Sequence, residues 1–185
     1  MTKYIIFLIF SLSLMLSQSY KVQPPIVDIN GVIFKENDEI PYTGKITVFW
    51  GNNTLKEEGI YREGVKSGLW KYWYANGKLF SKGIFRNGLK TGVWIEWHEN
   101  GNKKTQSIYR NGLKNGREIN WSLEEVKLSE FSYQSGSKDG SFKKWFNSGN
   151  IKSAGNFVKG KENGKFLEWY YNCLLYTSPS PRDWT

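Results

Sequence analysis

His98 and Cys173 are the only histidine and the only cysteine in 185 residues, so the usual carriers of nucleophilic, acid–base and metal chemistry are nearly missing. A metal held by imidazoles or thiolates needs several such ligands brought together, and the count excludes that. His98 stands six residues after Gly92, in a slot filled elsewhere by Trp50, Tyr74, Ser122, Phe146 and Tyr170. It reads as a surface or ladder position, not as a catalytic base. Glu57-Glu58 and Glu124-Glu125 are adjacent carboxylates, but acid–base work needs a pair placed across a cleft, and neither has a partner at a fixed interval. The nineteen glycines invite comparison with a phosphate cradle, yet the pattern G-x-x-x-x-G-K-[ST] does not occur. No catalytic residue, no metal and no cofactor is expected.

Charge is what remains for binding. The chain carries +9. Without residues 1–19 and 173–185, which hold Lys3, Arg182 and Asp183, the body has 24 basic and 16 acidic side chains, or +8. Lys66, Lys90, Lys114 and Lys138 recur every 24 residues. Such a row reads either as solvated turns or as a basic stripe facing an acidic protein or anionic envelope surface. The aromatics offer a third chemistry, stacking or cation–π contact with sugars or choline-like groups.

The interval of those lysines belongs to the whole chain. Gly44, Gly68, Gly92, Gly116, Gly140 and Gly164 are spaced by 24, and a fixed period of 20–50 residues marks an array of repeats. Two residues after each glycine stand Ile46, Trp70, Trp94, Glu118, Phe142 and Phe166; five after stand Phe49, Trp73, Trp97, Trp121, Trp145 and Trp169. Tyr61, Phe85, Tyr109, Tyr133 and Phe157 follow at seventeen.

Each unit has two short strand-like runs separated by Asn-Gly or Ser-Gly, as at Asn76-Gly77, Asn100-Gly101 and Ser148-Gly149. These residues accept the positive φ of hairpin turns. No 3.6-residue apolar period is sustained. The expected fold is all-β, an elongated single sheet of stacked antiparallel hairpins, each unit advancing it by roughly 10 Å. Trp73, Trp97, Trp121, Trp145 and Trp169 are expected to form the structural aromatic ladder. The aromatics at two and five differ by an odd number, so either a bulge brings them together or each serves its own face.

The unit, best seen in "GLWKYWYANGKLFSKGIFRNGLKTGVW" from Gly68 to Trp94, resembles the bacterial variant of the MORN repeat (membrane occupation and recognition nexus). "PYTGKITVFW", Pro41 to Trp50, resembles the usual opening of such arrays. The resemblance covers about residues 41–172, five full units and a partial sixth. It implies a non-enzymatic scaffold, since bacterial members are often labelled toxin–antitoxin system antitoxins and others are membrane-surface or protein-binding scaffolds. The fourth unit departs from the pattern: Glu118 replaces tryptophan, Glu124-Glu125 replaces Asn-Gly, and Phe131 replaces glycine. That is either drift or a partner-specific patch at Glu118, Glu124 and Glu125.

The ends read differently. Residues 1–19, "MTKYIIFLIFSLSLMLSQS", have the positive start, apolar run and small-residue end of a secretory signal peptide. Residues 20–40 are expected to be a linker and a cap, with a hairpin at Asn30-Gly31. At residue 173, where the period demands glycine, the chain turns to "CLLYTSPSPRDWT". Its first eleven residues are encodable by codons that resemble a transposase adapter used in sequencing libraries, and 173–185 is expected to be read-through, not native sequence. The expected role is an exported scaffold that binds a protein partner in an antitoxin-like or immunity-like way. The competing role is an envelope, anionic-lipid or glycan surface module. Nucleic acid is not expected as a partner.

Overall fold

The structure is a computed structural model that describes residues 21–23, 26–171 and 175–178. Residues 1–19, read as a signal peptide, lie outside the described residues, as does most of the 173–185 tail. The strands are β1 (Lys21–Gln23), β2 (Ile26–Ile29), β3 (Val32–Lys35), β4 (Gly44–Phe49), β5 (Leu55–Arg62), β6 (Val65–Trp73), β7 (Leu79–Arg86) and β8 (Leu89–Trp97). They continue as β9 (Lys103–Arg110), β10 (Leu113–Trp121), β11 (Lys127–Gln134), β12 (Ser137–Trp145), β13 (Ile151–Val158), β14 (Lys161–Glu162), β15 (Phe166–Trp169) and β16 (Leu175–Ser178). The described residues are all-β. One antiparallel sheet of fourteen strands runs β1-β4-β5 and then in chain order to β13-β15-β16, with β14 beside β13.

Two kinds of turn alternate, and local sequence explains both. Between the strands of one unit lies a three-residue loop, as from Tyr74 to Lys78. There Tyr74 N–H donates to the Lys78 carbonyl at 2.9 Å, Gly77 N–H donates to Tyr74 at 3.0 Å, and Gly77 takes φ +81°. Between units lies a two-residue loop with both residues left-handed, such as Asn87 (φ 50°) and Gly88 (φ 75°). That is the primed turn whose twist matches paired strands. Each of these glycines is tied to the unit before: Gly88, Gly112, Gly136 and Gly160 donate N–H to the carbonyls of Lys66, Lys90, Lys114 and Lys138 at 2.8–2.9 Å.

The glycine that sets the 24-residue period begins an irregular stretch of strand. Glu58 pairs with Lys71 and Ile60 with Ser67, so Gly59 alone faces three residues, Gly68, Leu69 and Trp70. Gly68 absorbs this bulge at φ +70°, a conformation with little penalty only for glycine. A second register shift falls between Tyr72 and Trp73.

The hairpin β2–β3 turns at Asn30-Gly31 and forms a two-stranded sheet of its own. It docks on the first unit, with Ile33 N–H donating to the Gly64 carbonyl at 2.9 Å and Tyr42 N–H to the Ile33 carbonyl at 2.7 Å. The strand added to the sheet beside β4 is β1. Ile33, Ile46, Val48, Tyr61 and Trp70 make the main buried cluster there.

Candidate binding surfaces

The sheet has two faces of different character. Strand register and ring contacts place Lys66, Trp70, Tyr72, Tyr61 and Phe85 on the first face. Leu69, Lys71, Glu58, Ile60 and Ile84 alternate onto the second.

The first face holds the aromatic ladder. Tyr61, Trp70, Phe85, Trp94 and Tyr109 follow one another edge to face with centroids 4.9–6.4 Å apart. Trp70 is 0% and Trp94 4% exposed. The indoles fit because the return strand has no side chain beneath them. A Cβ on Gly59 would meet Trp70 ring atoms at 2.2–2.7 Å, and one on Gly83 would meet Trp94 at 2.1–2.5 Å.

This corrects the expected ladder. Trp73, Trp97, Trp121, Trp145 and Trp169 are half-buried, not core residues. They end the outgoing strands, an odd number of residues from the buried indoles, and the shift beside them does not bring them round. Each position serves its own face. On the second face lysine ammonium groups cover several of them: Lys82 lies 5.6 Å from the Trp97 ring centroid, Lys103 5.0 Å from Trp121 and Lys127 4.7 Å from Trp145.

The row of Lys66, Lys90, Lys114 and Lys138 also lies differently from the turn reading. Each is the second residue of a strand and part of the ladder. Lys66 Nζ sits 3.9 Å from the Trp70 centroid, Lys90 4.2 Å from Trp94 and Lys138 4.2 Å from Phe131. Such contacts are worth about 0.5–1 kcal/mol where exposed and more where dry. Burial lowers the pKa of Lys66 despite its ion pair with Glu57 at 3.5 Å, and the charge of Lys90 lowers it further. Burial likewise lowers Lys90 against the pull of Glu96.

The fourth unit interrupts the ladder with a closed polar knot. Glu118, only 8% exposed, occupies the indole position. Its carboxylate accepts from Ser107 Oγ at 2.9 Å and Tyr133 OH at 3.3 Å and forms an ion pair with Lys114. Burial opposes its ionisation, but the hydrogen bonds from Lys114 and Ser107 and the Lys114 charge outweigh that and hold the carboxyl below its ordinary value. Ser107 fills the glycine position beneath Glu118. On the return strand of the fourth unit Phe131 fills the glycine position, and Phe142 of the fifth unit, a smaller ring than indole, stacks on it at 5.6 Å. The substitutions are thus matched in pairs. Glu118, Glu124 and Glu125 are not one acidic patch. Glu118 is spent inside the sheet, whereas Glu124 and Glu125 are exposed in the β10–β11 turn.

His98 has a structural task. Its Nε2 lies 3.1 Å from the Trp121 carbonyl, and since a carbonyl only accepts, Nε2 carries the proton. Trp50 Nε1 and Tyr74 OH make the equivalent bonds to the carbonyls of Trp73 and Trp97 at 3.1 and 2.8 Å. Among the described residues no group of three His, Cys, Asp or Glu could hold a metal ion.

The surface that the sequence reading missed is the second face of the first units. Ile60, Leu69, Ile84 and Val93 are 42%, 50%, 47% and 47% exposed there. Leu69 pairs with Ile84, and Val93 with Ile108. The 24-residue period contained this signal at the positions one and sixteen after each glycine, which turn to Arg117, Ser132, Ser141 and Asn156 further along.

No curated protein matches this chain. Residues 66–87, 90–111 and 138–159 match the family model described as MORN repeat variant. Each match begins at a lysine of the half-buried row and ends at the first residue of a primed turn; the stretch passed over contains Glu118 and Phe131. Three stretches of one continuous hairpin array are thus similar to MORN repeat variants.

Proposed function

We propose that this protein is a non-enzymatic repeat scaffold that binds a protein partner through the second face of its first three units. The observation that carries this reading is the aliphatic stripe of Ile60, Leu69, Ile84 and Val93, exposed side by side on one face of a basic protein. Contiguous apolar surface is costly to leave in water and marks interaction sites. The half-buried lysine row is a poorer partner surface, since Lys66 and Lys114 already pair with Glu57 and Glu118. The apolar leader of residues 1–19 supports export, so the partner is sought outside the cytoplasm, where an immunity-like role against an exported protein fits a scaffold of this kind. The test is reconstitution with the purified partner identified by crosslinking in the native host. A Leu69→Asp/Ile84→Asp variant with parental melting should lose binding at least about tenfold, because each introduced charge must be desolvated. Unchanged affinity would refute this surface.

A further inference from the structure

Arginine follows the same 24-residue period at one position. Arg62, Arg86 and Arg110 close the return strands of the first three units. All three are exposed, and none of their guanidinium groups makes a hydrogen bond or ion pair with the described residues. Tyr61 faces the aromatic ladder, so its neighbour Arg62 points to the second face, two residues from Ile60; Arg86 stands likewise beside Ile84 and Arg110 beside Ile108. Arg62 pairs with Val65, Arg86 with Leu89 and Arg110 with Leu113, and Leu89 and Leu113 are 49% and 52% exposed. Between the first two arginines lies an open cavity of about 480 Å³, lined by both, by Val65, Ser67 and Ile84, and also by Phe85 and the exposed Glu63, the one carboxylate in its wall. In the next two units the arginine position becomes Gln134 and Val158. The unpaired guanidinium groups and the exposed aliphatic rows therefore end together.

We propose that Arg62, Arg86 and Arg110, with the aliphatic rows beside them, form a track for an extended acidic polypeptide segment that carries a carboxylate at every third residue. This rests on the protein-binding reading above and adds the chemistry of the partner. Guanidinium groups left unpaired match carboxylates with two parallel hydrogen bonds each. Two strands advance the sheet by about 9.6 Å. Three residues of a polyproline-II chain advance about 9.3 Å and return to the same side, so carboxylates at every third residue meet successive arginines while the residues between them reach Val65, Leu89 and Leu113. Sheet twist selects a chain over a flat surface. Neighbouring strands rotate by roughly 20–25°, so the track turns by roughly 100° from β5 to β10, which a bilayer plane cannot follow and an extended chain can.

The experiment uses the full chain and a labelled peptide of five Glu-Pro-Leu triplets, followed by fluorescence anisotropy. Saturable binding is expected, weaker by about tenfold or more for the triple Arg62→Gln/Arg86→Gln/Arg110→Gln variant and for a peptide of the same composition with its glutamates clustered. A triple Arg→Glu variant should instead select the peptide with lysine in place of glutamate, which shows that the altered chain is folded and the track intact. Equal binding of the clustered peptide, undiminished binding by the triple Gln variant, or tighter binding of acidic vesicles or oligo-dT than of the peptide overturns the proposal. With the crosslinked partner, loss on Leu69→Asp/Ile84→Asp but not on the triple Gln variant refutes the track alone. No loss with either variant refutes both readings.

Discussion

The Trp94 indole lies across the α-carbon of Gly83, so close that a methyl group there would fall 2.1–2.5 Å from the ring. The same relation joins Trp70 to Gly59. Ser107 with Glu118 and Phe131 with Phe142 are the two other solutions to the same steric problem. Gly83→Ala should therefore destabilise the array by about 1–3 kcal/mol, the cost of overpacking a filled site, and combining it with Trp94→Leu should recover part of the loss relative to the sum of the single changes. Urea melts measure both. Identical midpoints for Gly83→Ala and parent would show that the indole moves aside freely.

The two tryptophan rows should separate in the same melts. Trp94→Ala empties a buried site and should cost about 3–5 kcal/mol. Trp97→Ala, half-buried on the opposite face with Lys82 above it, should cost no more than about half of that, because less apolar area returns to water. Equal losses would place Trp97 in the core after all.

Glu118 gives the array an acid limit. Its carboxyl is held below the ordinary carboxylate value in the folded chain, chiefly by the Lys114 and Ser107 hydrogen bonds that outweigh its burial. It therefore contributes stability that is complete above that value and is lost as pH falls through its lower folded pKa. Glu58 and Glu130, also lowered, add to the same limb. Glu118→Gln should be less stable at pH 7, and its stability should fall less steeply between pH 5 and pH 3, followed by thermal melts across that range. A parallel decline in both proteins would remove Glu118 from the acid response. On the alkaline side, burial and the Glu57 charge push Tyr61 up to about 12, so its contribution is complete below pH 10 and lost as pH rises toward 12.

Glu125 stands where Gly77, Gly101 and Gly149 stand in other units, and it takes φ +63°. A side chain in the left-handed region costs roughly 1–2 kcal/mol. Glu125→Gly should therefore raise stability, by about 1 kcal/mol after the added freedom of the unfolded chain is counted. A lower melting temperature for this variant would mean that the Glu125 side chain makes an interaction worth more than the strain.

The 24-residue period by itself determined the all-β class, the hairpin count and both turn sites, because a turn that needs positive φ admits few residue types and so leaves its mark at fixed intervals. It also carried the exposed rows of Arg62, Arg86 and Arg110 and of Ile60 and Ile84, in plain view at one phase each. What only the tertiary structure decided was the side on which each row lies. Two bulges per unit change the count of residues between Gly68 and Trp73 relative to the neighbouring strands, and no rule of alternation read along one strand reveals them. The choice between Trp70 and Trp73 as core therefore waited on Gly59, a residue on another strand whose missing side chain makes room for one indole. The same holds for Lys66 and Glu118. Each looks like surface charge in the sequence, and each is drawn into the ladder by a partner, Trp70 or Ser107, that pairing of strands brings within contact.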